Sequence, residues 1–398
     1  MTDSHAPMRV ALFTDTFVPQ INGVARTLGR TVATLRSRGH SVRVFAPQDP
    51  DASGVAADPN VRHFPSRPFW AYRQLRLALP RTSVVERELL QWRPDVVHLA
   101  TPFGVGLAGR AAARRIGVPI ITSYHTSLAA YAKFYGLGAL ASPGWAFLRW
   151  FHNSGRRTLC PTEAIGRDLT ARGFRNISLW SRGVDAEQFS PSHRSETLRR
   201  SWGASPATTV VAYVGRLARE KGLDTALAAM RRLVEQQLDV VCVVAGDGPY
   251  ESECRRLAPR GTIFTGRIEG PTLSETYASC DAFIFPSTTD TFGNVVLEAM
   301  ASGLAVVAAD VPQTREVLGG AGLVVPPSDP VGFSTALAGF ASNPAYLGRI
   351  RADALRSARH RSWQAVFDRL VADYYAVTRG LPASADRVEH HSDVMSIR

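Results

Sequence analysis

The feature that most constrains this chain is a pattern of short apolar runs separated by helix-period stretches, and the pattern occurs twice. In the first pass RVALF (Arg9–Phe13), VRVFA (Val42–Ala46), VVHL (Val96–Leu99) and IITS (Ile120–Ser123) read as strands. Helices are predicted between them over Ala25–Arg38 and Gly104–Ile116. Strands this short and apolar need cover on both faces, and the intervening helices supply it, so the pattern predicts a parallel, doubly wound α/β sheet. Residues 184–207 are polar and turn-rich, as a linker should be. The pattern then restarts with VVAYV (Val210–Val214), VVCVVA (Val240–Ala245), Ile263–Thr265, AFIFP (Ala282–Pro286) and AVVA (Ala305–Ala308). Its helices are predicted over Gly222–Gln236 and Asn294–Ser302.

A chain of 398 residues exceeds what one hydrophobic core usually organises. Two Rossmann-like domains are therefore expected, over 1–185 and 186–362, with a closing helix at 363–379 packing back on the first domain. Residues 380–398 carry few apolar side chains and are expected to be a disordered tail. Four cysteines without CxxC spacing argue against zinc, iron–sulfur or disulfide frameworks and fit a reducing cytoplasm. The opening MTDSHAPMRV has no apolar core of signal-peptide length, and no uncharged apolar run approaches the roughly 18 residues of a membrane span. The expected location is the cytoplasm, with any membrane met from outside, on its inner face.

The net charge of +12 is unevenly placed. Residues 1–185 hold 24 Lys and Arg against 11 Asp and Glu, whereas the remainder holds 22 against 23. A basic half suits an anionic partner such as a membrane surface, and it equally suits an arginine-rich soluble surface. The basic and aromatic residues follow no RRM, KH or helix-turn-helix pattern, so nucleic acid is not an expected partner.

Two loops carry the chemistry. After AFIFP comes STTDTFGNVVLEAMASG, which delivers Asp290, then Phe292-Gly293 at the start of a helix, then Glu298. A helix N-terminus attracts phosphate or hydroxyl oxygens, and Glu298, about two turns in, could take the hydroxyls of a ribose. The plainer reading makes Asp290 a cap and Glu298 a salt-bridge partner. After VVAYV comes GRLAREKG, in which Arg216 and Lys221 are flanked by glycines and can grip a diphosphate. The run is not the phosphate loop GxxxxGK[ST] of an ATPase.

GRLAREKG followed by TDTFGNVVLEAMASG resembles the donor half of the family-four retaining glycosyltransferases of the GT-B fold. TDTFVPQINGV, SYHT and LWSRGVDAEQFSP resemble that family's opening loop, acceptor-domain histidine segment and interdomain hinge. Within the family, the chain is most similar to bacterial mannosyltransferases using GDP-mannose and to sulfolipid-type transferases using UDP-sugars. The resemblance implies two Rossmann-like domains facing across a cleft, with a nucleotide-diphosphate sugar as co-substrate. It places Arg216 and Lys221 on the diphosphate, Glu298 on the ribose, and Asp290 with the Phe292, Gly293 and Asn294 backbone on the sugar. Gly23 would approach the phosphates from the other domain, and His125 would touch the sugar or its transferring carbon. Arg267 and Ile268, in the segment ending at Glu269, would flank the base. Asp290 stands where the family usually has glutamate, and Asn22-Gly23 where it usually has two glycines.

No DxD-type metal pair accompanies these motifs, so no metal is expected and the two cations would stand in for one. Residues 69–93 and 131–152 interleave aromatics with Arg and Lys, which suits a lipid or lipid-linked acceptor. The plainer reading buries Trp145, Phe147, Leu148 and Phe151 in the core. The expected activity is transfer of a hexose, mannose first, with UDP-sugar transferases and GT-B epimerases as alternatives.

Overall fold

The computed structural model describes residues 6–20, 22–49, 58–69, 72–125 and 141–381. The first half contributes β1 (Arg9–Phe13), β2 (Ser41–Pro47), β3 (Val61–Phe64), a hairpin of β4 (Arg67–Phe69) and β5 (Tyr72–Leu77), then β6 (Val96–Leu99), β7 (Ile120–Ser123), β8 (Arg157–Cys160) and β9 (Ile177–Leu179). Apart from the hairpin these strands form one parallel sheet in the order β3-β2-β1-β6-β7-β8-β9. The second half contributes β10 (Thr209–Val214), β11 (Val240–Ala245), β12 (Ile263–Gly266), β13 (Ala282–Phe285), β14 (Ala305–Ala309) and β15 (Leu323–Val325). Its sheet, also parallel, runs β12-β11-β10-β13-β14-β15.

Both orders reverse direction at their first strand, between β1 and β6 and between β10 and β13. At such a switch point the helices depart to opposite faces, and a crevice opens beyond the carboxyl ends of the strands. Each sheet is covered on both faces: Leu28 and Leu370 lie in one core of the first domain, Val105 and Leu89 in the other. In the second domain, Val296 and Met300 cover one face and Leu227 and Leu337 the other.

The Trp363–Thr378 helix lies on the first sheet, with Phe367, Leu370 and Tyr374 buried among Val10, Leu12 and Val96. A buried ion pair between Arg157 and Asp373 pins it there, and Ser178 Oγ donates to Asp373 Oδ2 at 2.9 Å. The two chain crossings between domains run side by side, with Val184 N donating to Arg361 O at 3.0 Å. A β-carbon on Gly183 would lie 2.4 Å from Trp363 N, so only glycine fits at this crossing. No described helix is long and apolar enough to cross a membrane.

The polar stretch at 184–207 is more ordered than its composition suggests. It holds a helix, Glu196–Ser201, and Arg199 is wholly buried. Arg199 donates to Asp281 Oδ2 at 2.8 Å and to Thr208 O at 2.7 Å, so a partner about eighty positions away offsets its charge. The strand β8 has the same cause: RTLC looks unlike a buried strand until Asp373 neutralises Arg157.

Candidate active site

The loops that leave β10 and β13 meet at the second domain's switch point. After β10, Gly215 leads to a single tight turn at Arg219–Lys221, closed by Gly222 with φ 72°. A β-carbon on Gly222 would stand 2.9 Å from the Pro286 carbonyl oxygen, so this glycine lets the loop pack against the end of β13. The turn after β11, Gly246-Asp247-Gly248, supports the loop from below, and Leu217 N donates to Asp247 O at 2.8 Å. Side chains at Gly246 and Gly248 would run into the oxygens of Gly215 and Leu217, at 1.9 and 2.3 Å. Sequence reasoning missed this support, although its glycine–x–glycine–proline spacing was a readable turn signal.

Lys221 Nζ lies 2.6 Å from Asp290 Oδ1, and Ser287 Oγ donates to Asp290 Oδ2. Asp290 is thus held from two sides and fixes the ammonium at the mouth of the loop. Thr289 Oγ1 donates to Glu220 O at 3.2 Å, which ties the two loops together. Gly293, with φ 84°, turns the chain into the Asn294–Ala301 helix, and Phe292 is buried. Glu298 lies four residues into that helix, about one turn rather than the two expected, because Asp290, eight residues earlier, stands outside the helix that begins at Asn294. Tyr277 Oη donates to Glu298 Oε2 at 3.1 Å. Burial raises the carboxyl of Glu298 above its usual range, while Arg26 and Arg30 of the first domain oppose that rise.

The first domain presents the N-terminus of its Gly23–Ser37 helix. Asn22 caps it by accepting from Ala25 N at 2.8 Å, and Thr16 Oγ1 accepts from Asn22 Nδ2 at 2.7 Å. Asp15 points away to cap a different helix: Val105 N and Thr101 Oγ1 donate to its carboxylate at 2.9 and 2.6 Å. Burial pushes this carboxyl up to about 6 against those donors. A β-carbon built on Gly23 would sit 3.6 Å from Asn294 Nδ2. Two helix N-termini, one per domain, therefore lie side by side, each with a partial positive charge.

His125 follows β7. Its carbonyl oxygen accepts from Thr291 Oγ1 of the second domain at 2.8 Å, which places it beside the Asp290–Gly293 loop. Its ring nitrogens face Ser123 Oγ at 2.8 Å and Arg182 Nη2 at 3.1 Å. Gly23, His125, Asp290, Phe292, Gly293, Asn294 and Lys221 thus gather where the domains meet. Arg216 stands half-buried in the same loop as Lys221, and its carbonyl accepts from Tyr213 Oη at 3.1 Å. Arg267 is exposed and pairs with Glu269 at 3.2 Å, and Glu269 also meets Arg26 across the cleft at 3.5 Å. Ile268 packs against the second domain's core. Arg26 was missed by sequence reasoning, since nothing local distinguishes it from other surface arginines. Among the described residues no three His, Cys, Asp or Glu side chains converge to hold a metal ion.

Two Rossmann-like domains with these loops facing across a cleft define a GT-B glycosyltransferase. The model of "Glycosyltransferase Family 4" matches residues 21–188 and that of "Glycosyl transferases group 1" matches residues 208–343. The chain is 36% identical over 383 residues to a GDP-mannose-dependent alpha-mannosyltransferase of Mycolicibacterium smegmatis, covering 93% of this chain and 98% of that one. It is 35% identical over 311 residues to the sulfoquinovosyl transferase SQD2 of Arabidopsis thaliana, covering 76% and 60%. Among solved structures it resembles HepE of Anabaena in complex with UDP and glucose, with a TM-score of 0.74 at 18% identity, covering 93% and 99%. The chain belongs to glycosyltransferase family 4 and is a nucleotide-sugar-dependent hexosyltransferase.

Proposed function

We propose that the enzyme transfers mannose from GDP-mannose, with retention of configuration and without a metal, to a lipid or lipid-linked glycan. The observation that carries the donor site is the pairing of two helix N-termini, at Gly23 and Asn294, beside the Lys221–Asp290 ion pair. The choice of GDP-mannose rests on the 36% identity to a relative named for that donor.

When the bond from the anomeric carbon to the diphosphate breaks, negative charge gathers on the departing oxygens. Arg216, Lys221 and the two helix ends stabilise that charge as it develops. The acceptor hydroxyl attacks from the face the diphosphate leaves, and its proton passes to the departing phosphate oxygen. Asp290 steadies Lys221 and, with the Phe292–Asn294 backbone, offers partners to the sugar hydroxyls. Glu298, braced by Tyr277, takes the ribose hydroxyls, and Arg267 and Ile268 flank the base.

The acceptor reading rests on the Ala141–His152 helix. Leu148 and Phe151 are buried, but Phe147 and Trp150 are 37% and 51% exposed and stand beside the exposed Arg149. Arg110 lies over the Trp150 ring at 3.6 Å. Aromatics among arginines suit the headgroup region of an anionic bilayer, met at its cytoplasmic face. Residues 131–140 of the same segment, like the tail at 382–398, lie outside the described residues.

The test is thermal stabilisation by GDP-mannose, UDP-glucose, UDP-GlcNAc and the free nucleotides, followed by NMR of the product's anomeric centre with EDTA present. A ligand far above its Kd raises the midpoint. GDP-mannose should stabilise most and the product should be α-linked. Preferential stabilisation by a UDP-sugar would favour the second reading, which the Arabidopsis relative supports. Loss of activity in EDTA with rescue by magnesium would overturn the metal-free mechanism.

A further inference from the structure

Arg182 stands in the interdomain crossing, just before Gly183, and nothing in the proposed chemistry uses it. It is 6% exposed, and among the described residues no carboxylate forms an ion pair with it. One end of its guanidinium donates to the carbonyls of Trp180 and Ser181 at 2.7 and 2.9 Å. The other end reaches His125 Nδ1 at 3.1 Å. A guanidinium only donates, so Nδ1 must be the accepting nitrogen of that ring and the imidazole proton must sit on Nε2.

That constraint fixes the next bond: His125 Nε2–H donates to Ser123 Oγ at 2.8 Å. Ser123 Oγ lies 2.9 Å from His98 Nε2, and His98 Nδ1 lies 2.7 Å from Tyr374 Oη. A continuous run of hydrogen bonds thus links the hinge, β7, β6 and the closing helix. Both ring nitrogens of His125 are spent inside the first domain. What the residue turns toward the second domain is its carbonyl, which accepts from Thr291 Oγ1.

We propose that Arg182 is a positioning residue: it locks His125 in the Nε2–H tautomer and thereby sets the His125 carbonyl against the donor loop. The lock ties the hinge to the site, since movement of Arg182 releases the His125 ring. The groups facing that ring are Arg182 from the crossing, Ser123 on its own strand, His98 from β6, His152 from the Ala141–His152 helix, and the Trp180 ring at 5.5 Å. Among the described residues, none that faces the ring is an acid that would favour imidazolium. Burial, then the Arg182 charge, hold His125 well below the usual histidine range, and burial holds His98 and His152 down to about 3.

The placement of His125 at the site rests on the proposed function, but the tautomer does not, so the experiment reads them separately. Proton–nitrogen correlation NMR of the full chain, with His125 assigned by its loss in His125→Gln, should show a neutral Nε2–H ring from about pH 8 to about pH 5. Arg182→Lys should keep it, because an ammonium also only donates. Arg182→Met should let the ring exchange between the Nδ1–H and Nε2–H tautomers while it stays neutral across that range, because burial still opposes protonation. An Nδ1–H tautomer in the wild type, or a Met variant identical to it, would overturn the lock. If Arg182→Met does not fold, Ser123→Ala serves instead: it keeps the Arg182 contact, so the Nε2–H form must persist, and a switch to Nδ1–H overturns the proposal. In transfer assays, Arg182→Met should lower kcat/KM on the order of tenfold or more, with Arg182→Lys restoring part. Unaltered kinetics beside a released tautomer would overturn the positioning role while leaving the donor reading intact.

Discussion

The two domains share a strand order and handle positive charge in opposite ways. In the second domain the buried cations meet acids of the same domain. Lys221 pairs with Asp290, and Arg194, Arg199 and Arg351 all gather on Asp281. In the first domain Arg182 and Arg110 are buried without a described acid beside them, and Arg110 is further pressed by the like charge of Arg114. Its buried pair among the described residues, Arg157–Asp373, borrows the acid from the closing helix. The difference bears on function. Paired cations are held rigid, which suits a site that must meet a charged leaving group without rearranging. Unpaired arginines leave a positive field, which suits attraction of an anionic surface.

The largest effect should come from breaking the second domain's pairing where it is deepest. Asp281→Ala leaves the buried Arg199 with only the half-exposed Glu196, at 3.7 Å, and Asp281 also accepts from Val210 N. The expected cost is about 3–5 kcal/mol, read as a lower urea midpoint. A loss below about 1 kcal/mol would mean that the cluster is not a structural anchor.

Next come the cations at the site. Arg216→Ala or Lys221→Ala should each lower kcat/KM by about a hundredfold or more, the scale of a lost donor to a developing charge. Stability should hardly change in either variant. Unchanged kinetics would put the diphosphate elsewhere.

The smallest effect belongs to the first domain's surface. Wild-type protein should float with anionic vesicles, less so as salt rises, each basic side chain contributing about 1 kcal/mol near the surface. Reversing Arg114 and Arg149 to Glu should weaken flotation and leave nucleotide affinity intact. Indifference of the wild type to anionic vesicles at low salt would reduce the charge to a solubilising surface.

Much of this architecture was readable because its signals are local. Runs such as VVAYV and AFIFP need no distant partner to be strands, and the order strand, glycine loop, helix already placed Lys221 and Asp290 at one sheet end. The errors have the opposite character. RTLC is missing from the strands read off the sequence, and the stretch around Arg199 looked polar, because their neutralising acids, Asp373 and Asp281, lie far along the chain. Glu298 was placed a turn too deep because the residues from Asp290 to Gly293, the last in a left-handed conformation, are loop rather than helix. Arg182 and Arg26 matter only through residues from other segments, and no spacing rule reaches that far.

The central claim is that a nucleotide diphosphate is held by both domains at once. A crystal structure with GDP-mannose or GDP tests it most directly. The account predicts phosphate oxygens within about 3 Å of Arg216 and Lys221 on one side and of the Gly23 backbone nitrogen on the other. A nucleotide bound by one domain alone, with Gly23 left facing solvent, would contradict it.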